Sequence, residues 1–165
     1  MRNLIKQGLS GATMAALTIT ALGACDMAKI AVGTTSKVLD RGKYATKQEP
    51  DYDLAARAIP ASLKTVETFH TVDPENQTLT NILSEGFCQY ASGFIEDEWE
   101  VALLAKDFEE ADYQSQRASK AFLRCMGYSL HILGKGWQKT ILGSLEDVQK
   151  RTAKTGWDQR DALLW

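Results

Sequence analysis

The sequence predicts an all-α protein, and three observations carry that prediction. Apolar residues recur at spacings of three and four from Leu54 to Ile132, no stretch sustains period-two alternation, and the only prolines are Pro50, Pro60 and Pro74. The formal charge is −2 over 165 residues. There is no basic stripe with interleaved aromatics, so the electrostatic footprint of a nucleic-acid binder is absent. One compact domain is expected.

The first segment reads as an address. Arg2 and Lys6 precede an apolar and small-residue stretch from Leu9 to Leu22, and the first acidic residue is Asp26. The stretch is interrupted by Thr13, Thr18 and Thr20, and it falls short of the about 20 residues a transmembrane helix needs. Leu22, Gly23, Ala24 and Cys25 resemble a bacterial lipobox. That resemblance implies a signal peptide over residues 1–24, an acylated Cys25 as the first mature residue, and attachment to a membrane through its lipid. Each buried methylene contributes about 0.8 kcal/mol, so two or more acyl chains hold the protein stably. Asp26 resembles an inner-membrane retention signal of enteric bacteria, and the cell membrane and the outer membrane both remain open as the site of anchoring, facing the periplasm. Losing residues 1–24 removes Arg2 and Lys6, leaving 17 basic residues against 21 acidic and a mature charge of −4.

Residues 25–50 read as the acylated cysteine and a tether. Gly33, Thr34, Thr35, Ser36 and Gly42 are small or polar, and no apolar stripe supports more than a helical turn or two around Ser36–Tyr44. The helical domain is expected over 51–165. Its first helix is capped by Asp51 or Asp53 and runs through Leu54, Ala58, Ile59, Leu63, Val66 and Phe69, with a kink or break expected at Pro60. A second, unusually long helix carries Leu79, Ile82, Leu83, Phe87, Tyr90, Phe94, Val101 and Leu104, and turns at Lys106 and Asp107. The third carries Phe108, Ala111, Ala118, Ala121, Phe122, Cys125, Tyr128 or Ser129, and Ile132, stopping at Gly134–Gly136. An antiparallel hairpin of these two helices sets Cys88 roughly level with Cys125. That permits a disulfide in an oxidising compartment, and equally permits two free cysteines packed as small apolar residues.

Sites with chemistry are scarce. His70 and His131 stand without HExxH, CxxC or ligand-spaced carboxylates, so no metal is predicted, and His70 near a helix end reads as a capping or dipole partner. Glu96, Asp97, Glu98 and Glu100 point in several directions around a helix and read as a solvated face. Gly134, Lys135 and Gly136 follow a helix instead of a strand and lack the glycines of a phosphate loop. Neither an enzyme nor a cofactor is predicted. The aromatic set Phe87, Tyr90, Phe94 and Trp99, with Phe122 and Tyr128 on the neighbouring helix, is the best candidate for a ligand or partner surface, with plain core as the competing reading. Gly86 and Gly93 on the same helix suggest close approach of a neighbouring helix or a ligand.

Asp73, Pro74, Glu75 and Asn76 followed by Leu83, Ser84 and Phe87 resemble the turn and first helix of a tetratricopeptide unit. Thr80 replaces the usual tryptophan, and the helices are too long for the roughly 34-residue period, so a simple array does not fit. The segments AARAIPASLKTVETF (55–69), DPENQTLTNILSEGFCQYASGFIEDE (73–98), DFEEADYQSQRASKAFLRCMGYSLHIL (107–133) and DALLW (161–165) together resemble the TatT component of TRAP-transporter-associated lipoproteins. That resemblance implies a tetratricopeptide-like helix-pair superhelix with hydrophobic clefts. It also implies a non-enzymatic periplasmic accessory that docks a TRAP solute-binding protein, a hydrophobic small molecule as ligand, and a homotrimer. A generic tetratricopeptide-like scaffold of the cell envelope is the alternative. In the family the segment resembling DALLW opens a further helix, so a C-terminally incomplete superhelix ending in uncovered Leu163, Leu164 and Trp165 is expected.

Overall fold

The computed structural model describes residues 27–165, so the signal peptide and Cys25 lie outside the described residues. Among the described residues the chain is helical with no strand, which makes it all-α. Eight α-helices follow in order: α1 (27–47), α2 (Tyr52–Val72), α3 (Gln77–Tyr90), α4 (Glu96–Ala105), α5 (Phe108–Leu133), α6 (Trp137–Ile141), α7 (Leu145–Thr152) and α8 (Arg160–Leu164). None of them is long and apolar enough to cross a membrane.

The expected tether is a helix, which corrects the sequence reading of residues 27–47. Val32 and Ser36 are buried and Leu39 is half-buried, forming an i, i+4, i+7 stripe with only two large apolar members. Polar ties reinforce so thin a stripe. Asn76 Nδ2 donates to Ser36 Oγ at 3.4 Å, and Lys43 and Lys47 both pair with Glu85 on α3. These contacts set α1 parallel to α3.

Asp51 caps α2 by accepting from the Leu54 N–H at 3.0 Å. Pro60 lies inside α2 without dividing it. The proline stands in a half-exposed position, and the Ala55, Leu63 and Val66 stripe continues past it, so packing keeps the helix continuous through it. The Asp73–Asn76 turn then reverses the chain, with Asn76 Oδ1 capping α3 at the Leu79 N–H.

Between α3 and α4 the axis continues through a π-helical turn, Ala91–Ile95. The sequence accounts for it. Leu79, Leu83, Phe87, Ala91 and Ile95 are all buried and each lies four residues after the last. On a regular α-helix a step of four overshoots a full turn by about 40°, so four steps would carry Ile95 about 160° from Leu79. The wider i→i+5 turn winds fewer degrees per residue and returns Ala91 and Ile95 to the face that meets Ala118 and Ala121 of α5.

The α4–α5 turn is made by Lys106 in the left-handed region (φ 60°), with the Asp107 N–H reaching back to Ala102 O at 2.9 Å. α5 then runs antiparallel to α3, and the pair share the main core. Cys88 and Cys125 are bonded, with Cα atoms 5.4 Å apart, and Ser84 and Ser129 share a buried 2.6 Å hydrogen bond one turn away. Two serines in an apolar interface satisfy each other and avoid the cost of an unpaired hydroxyl. α8 folds back so that Ala162 is buried against Ile132, Leu133 and Trp137. Trp165 is half-buried, its carbonyl 3.5 and 3.6 Å from the two cysteine sulfurs. The expectation of an uncovered apolar end therefore holds for Leu164, which is exposed, and not for Leu163 and Trp165.

The two glycines of the long helix differ. A Cβ at Gly86 would stand 2.4 Å from Leu63 Cδ2, so α2 approaches α3 closely there. Gly93 has nothing within 4 Å of the same position and is exposed in the π turn, which corrects the expectation of close packing at that residue. Gly86→Leu should lower stability by about 1–3 kcal/mol, the range for overpacking, while Gly86→Ala, which displaces only a flexible leucine tip, should cost much less. Urea denaturation midpoints of both variants check this; equal midpoints for wild type and Gly86→Leu would contradict the close contact.

Candidate functional site

Helices α1, α2 and α3 do not close against one another along their whole length. They leave an open cleft of about 660 Å³, within the range of small-molecule sites. Its floor is Leu63, Val66 and Gly86, with Leu63 occupying the space a Gly86 side chain would take. Leu39 and Val38 of α1 form one wall, Ile59 and Ala55 of α2 the other, and Tyr90 and Phe94 close the far end. Phe94 sits at the junction made by the π turn. Its ring lies 5.8 Å from that of Tyr90 and 4.9 Å from that of Tyr52 on α2.

The polar groups of the cleft gather on one rim. Lys43 and Lys47 converge on Glu85, and Gln89 Nε2 donates to the same carboxylate at 3.1 Å. The hydrogen bond and charge of Asp40, 2.9 Å away, raise the pKa of Lys43, with Glu85 adding to the effect against a smaller opposing cost of burial. Tyr52 donates to Asp97 at 2.9 Å, and burial together with that bond pushes its phenol up to about 12. The arrangement is an apolar trough with one edge of paired charges. It contains no nucleophile beside a base, and no group of three metal-ligating side chains occurs among the described residues.

The six aromatic residues singled out in the sequence do not form one surface. Tyr90 and Phe94 line the cleft, and Arg117 donates to Tyr90 Oη at 3.2 Å. Phe87 is buried and stacks on Tyr128 with ring centroids 6.1 Å apart, Arg124 lying over its other side at 5.2 Å. Phe122 packs in the α3–α5 core, and Trp99 is half-buried on α4 away from the cleft. Sequence reasoning missed the contribution of α1, because Val38, Leu39, Lys43 and Lys47 lie in the segment whose glycines, threonines and serine read as a tether. The signal available was the Val32, Ser36, Leu39, Lys43 spacing.

A second cluster lies where α2 ends beside α5. Tyr128 donates to Glu67 at 3.0 Å, Lys64 also pairs with Glu67, and Arg124 stands 3.8 Å from it. Burial pushes the Glu67 carboxyl up, but the Lys64 and Tyr128 hydrogen bonds and the Arg124 charge outweigh it and the net shift is down. His70 packs edge-on against Tyr128 at 5.3 Å, with His131 at 6.2 Å. Its Nε2 is buried without a hydrogen-bond partner among the described residues. Burial, then the charge of His131, lowers its pKa, so His70 is held neutral and is not the cationic dipole partner expected from its place near the helix end.

Comparison with known proteins then bears on the whole. Residues 48–165 match the family model described as TRAP transporter T-component, so the match begins just after α1. A protein of Treponema pallidum (strain Nichols), described as uncharacterized, is 30% identical over 86 residues, covering 52% of this chain and 26% of that protein. The chain thus matches about a quarter of that relative's length. No solved structure matches the chain.

Two groups of the α2–α5 cluster, His70 and Glu67, destabilise the fold in acid. A histidine with a lowered folded pKa takes up its proton more readily when unfolded, so stability is retained above the ordinary value near 6.5 and falls as pH drops below it; Glu67 adds a further loss below about 4.5. His70→Phe, which keeps a ring against Tyr128 and removes the titration, should flatten the fall in urea midpoint between pH 7.5 and 5.5. An unchanged slope in that variant would contradict the assignment.

Proposed function

The chain belongs to the TRAP transporter T-component family, and on that premise we propose a lipid-anchored, non-enzymatic periplasmic accessory of a TRAP-type uptake system that docks its solute-binding protein. The family match over 48–165 is the observation that carries the reading. The lipobox-like residues Leu22, Gly23, Ala24 and Cys25, behind a basic start and an apolar stretch, support anchoring through an acylated Cys25. The aliphatic trough, polar on one rim, supports a hydrophobic small molecule with a single polar group as the ligand handled during docking.

Because α1 is packed from Val32 onward, the domain starts within seven residues of Cys25, and a chain of that length reaches at most about 25 Å. The anchored protein therefore stands close to its bilayer instead of swinging on a long tether. A homotrimer belongs to the same proposal. A generic tetratricopeptide-like scaffold differs from it in needing neither ligand nor solute-binding protein.

Cys25→Ser should abolish metabolic labelling with radioactive palmitate and move the protein from the membrane to the soluble fraction. The wild-type protein should coprecipitate the TRAP solute-binding protein from detergent-solubilised envelopes. Unchanged membrane fractionation of Cys25→Ser would overturn the anchor, and wild type that never retains the solute-binding protein would overturn the docking role.

A further inference from the structure

The α4–α5 hairpin ends in a tip that no other part of the described chain covers. Leu104 is 84% exposed and Phe108 71%, and Val101 and Leu103 beside them are exposed as well. Val101 and Leu104 lie three apart on one face of α4, and Phe108 is the first residue of α5 after the left-handed Lys106, so all three exposed apolar side chains belong to the same end of the hairpin. Ala102 and Ala111 are the last buried residues on the two arms, and the Glu98–Arg117 pair at 2.8 Å is the last ion pair between them. Beyond those contacts Leu104 and Phe108 leave most of their surface open among the described residues.

Negative charge is concentrated in the same hairpin. Residues 96–112 hold Glu96, Asp97, Glu98, Glu100, Asp107, Glu109, Glu110 and Asp112 against Lys106 alone, a formal −7. The expected mature chain from Cys25 onward is −4, so everything else in it together carries +3. Part of the acidity is explained locally: Asp107 caps α5 at the Glu110 N–H, Asp97 holds Tyr52 and Glu98 holds Arg117. Glu96, Glu100 and Glu109 are exposed and have no ion-pair partner among the described residues.

We propose that this tip is a protein-docking surface whose partner presents an apolar depression bordered by lysines or arginines. An apolar centre within a charged rim is the anatomy of a specific interface, and opposite charge on the partner raises the association rate. Charge decides against the bilayer as occupant, because anionic headgroups repel a −7 tip. Direction agrees. α1 runs parallel to α3, so the end of α1 nearest Cys25 lies at the Asn76 end of the bundle and the tip lies at the other. The tip thus points away from an anchoring membrane.

The surface rests on the docking role proposed above and locates it on the chain. The test uses the full-length wild-type protein in detergent, with the purified periplasmic TRAP solute-binding protein as probe, and compares Leu104→Ser/Phe108→Ser and Glu100→Lys/Glu109→Lys. All four positions are exposed, so thermal melts should match wild type and exclude misfolding. The apolar pair should weaken binding at least tenfold. The charge-reversed pair should slow association several-fold at 50 mM salt and little at 500 mM. Unchanged affinity in Leu104→Ser/Phe108→Ser while wild type binds overturns the location and leaves the docking role standing. No binding by wild type overturns the docking role, and the surface falls with it. Self-association that the serine variant abolishes, or wild-type binding to phosphatidylglycerol vesicles lost in that variant, would assign the tip to a second copy or to lipid and overturn the proposal.

Discussion

The main core of the described structure is organised around α3. Leu79 and Leu83 have no exposure at all, which requires partners on more than one side of a single helix. α2 covers one side, α5 another, α1 runs parallel along a third, and Trp165 reaches the disulfide that joins α3 to α5. Burying a leucine completely contributes about 2 kcal/mol over leaving it exposed, and α3 does so twice within two turns. The Cys88–Cys125 link closes the hairpin just beyond these leucines and limits the disorder of the unfolded chain.

The cleft follows from how α3 is surrounded. α1 packs on it with small and medium residues and holds its position through lysine pairs to Glu85, so α1 touches without filling. Gly86 lets α2 approach, and Leu63 takes the space a side chain there would fill. The π turn then aims Phe94 toward Tyr52 at one end while returning Ile95 to the α5 face. A site of this kind is a property of three helices together. Packing faces that are strong elsewhere are weak here, and the space remains.

That explains what the sequence made legible. α2, the α3–α4 axis and α5 each carry a long apolar stripe with a capping Asp or Asn, and their order and turns can be read from residues alone. The π turn was written in five apolar residues at intervals of four, a signal that points to a break in helical period only when the intervals are counted. α1 was misread because Gly33, Thr34, Thr35 and Ser36 suit a tether, and only Val32 and Leu39 mark the buried side; tertiary contact with α3 overrides the local preference. The aromatic set was half misleading for a related reason. Helical spacing gathers Phe87, Tyr90, Phe94 and Trp99 on one helix, but whether each meets α5 or the cleft depends on the angle introduced by the π turn.

For a T-component family member, the consequence is a molecule with two distinct ends: a short link to Cys25 beside the Asn76 turn, and an acidic, apolar tip at the opposite end. This geometry rests on α1 being part of the folded domain. Native-state hydrogen exchange of the full-length protein measures that directly. Amides of α1 from residue 32 to 43 should exchange slowly, within a few tenfold of those in α3 between residues 83 and 88. Exchange of α1 at the rate of an unstructured peptide, with α3 still protected, would return residues 27–47 to a tether and remove one wall of the cleft.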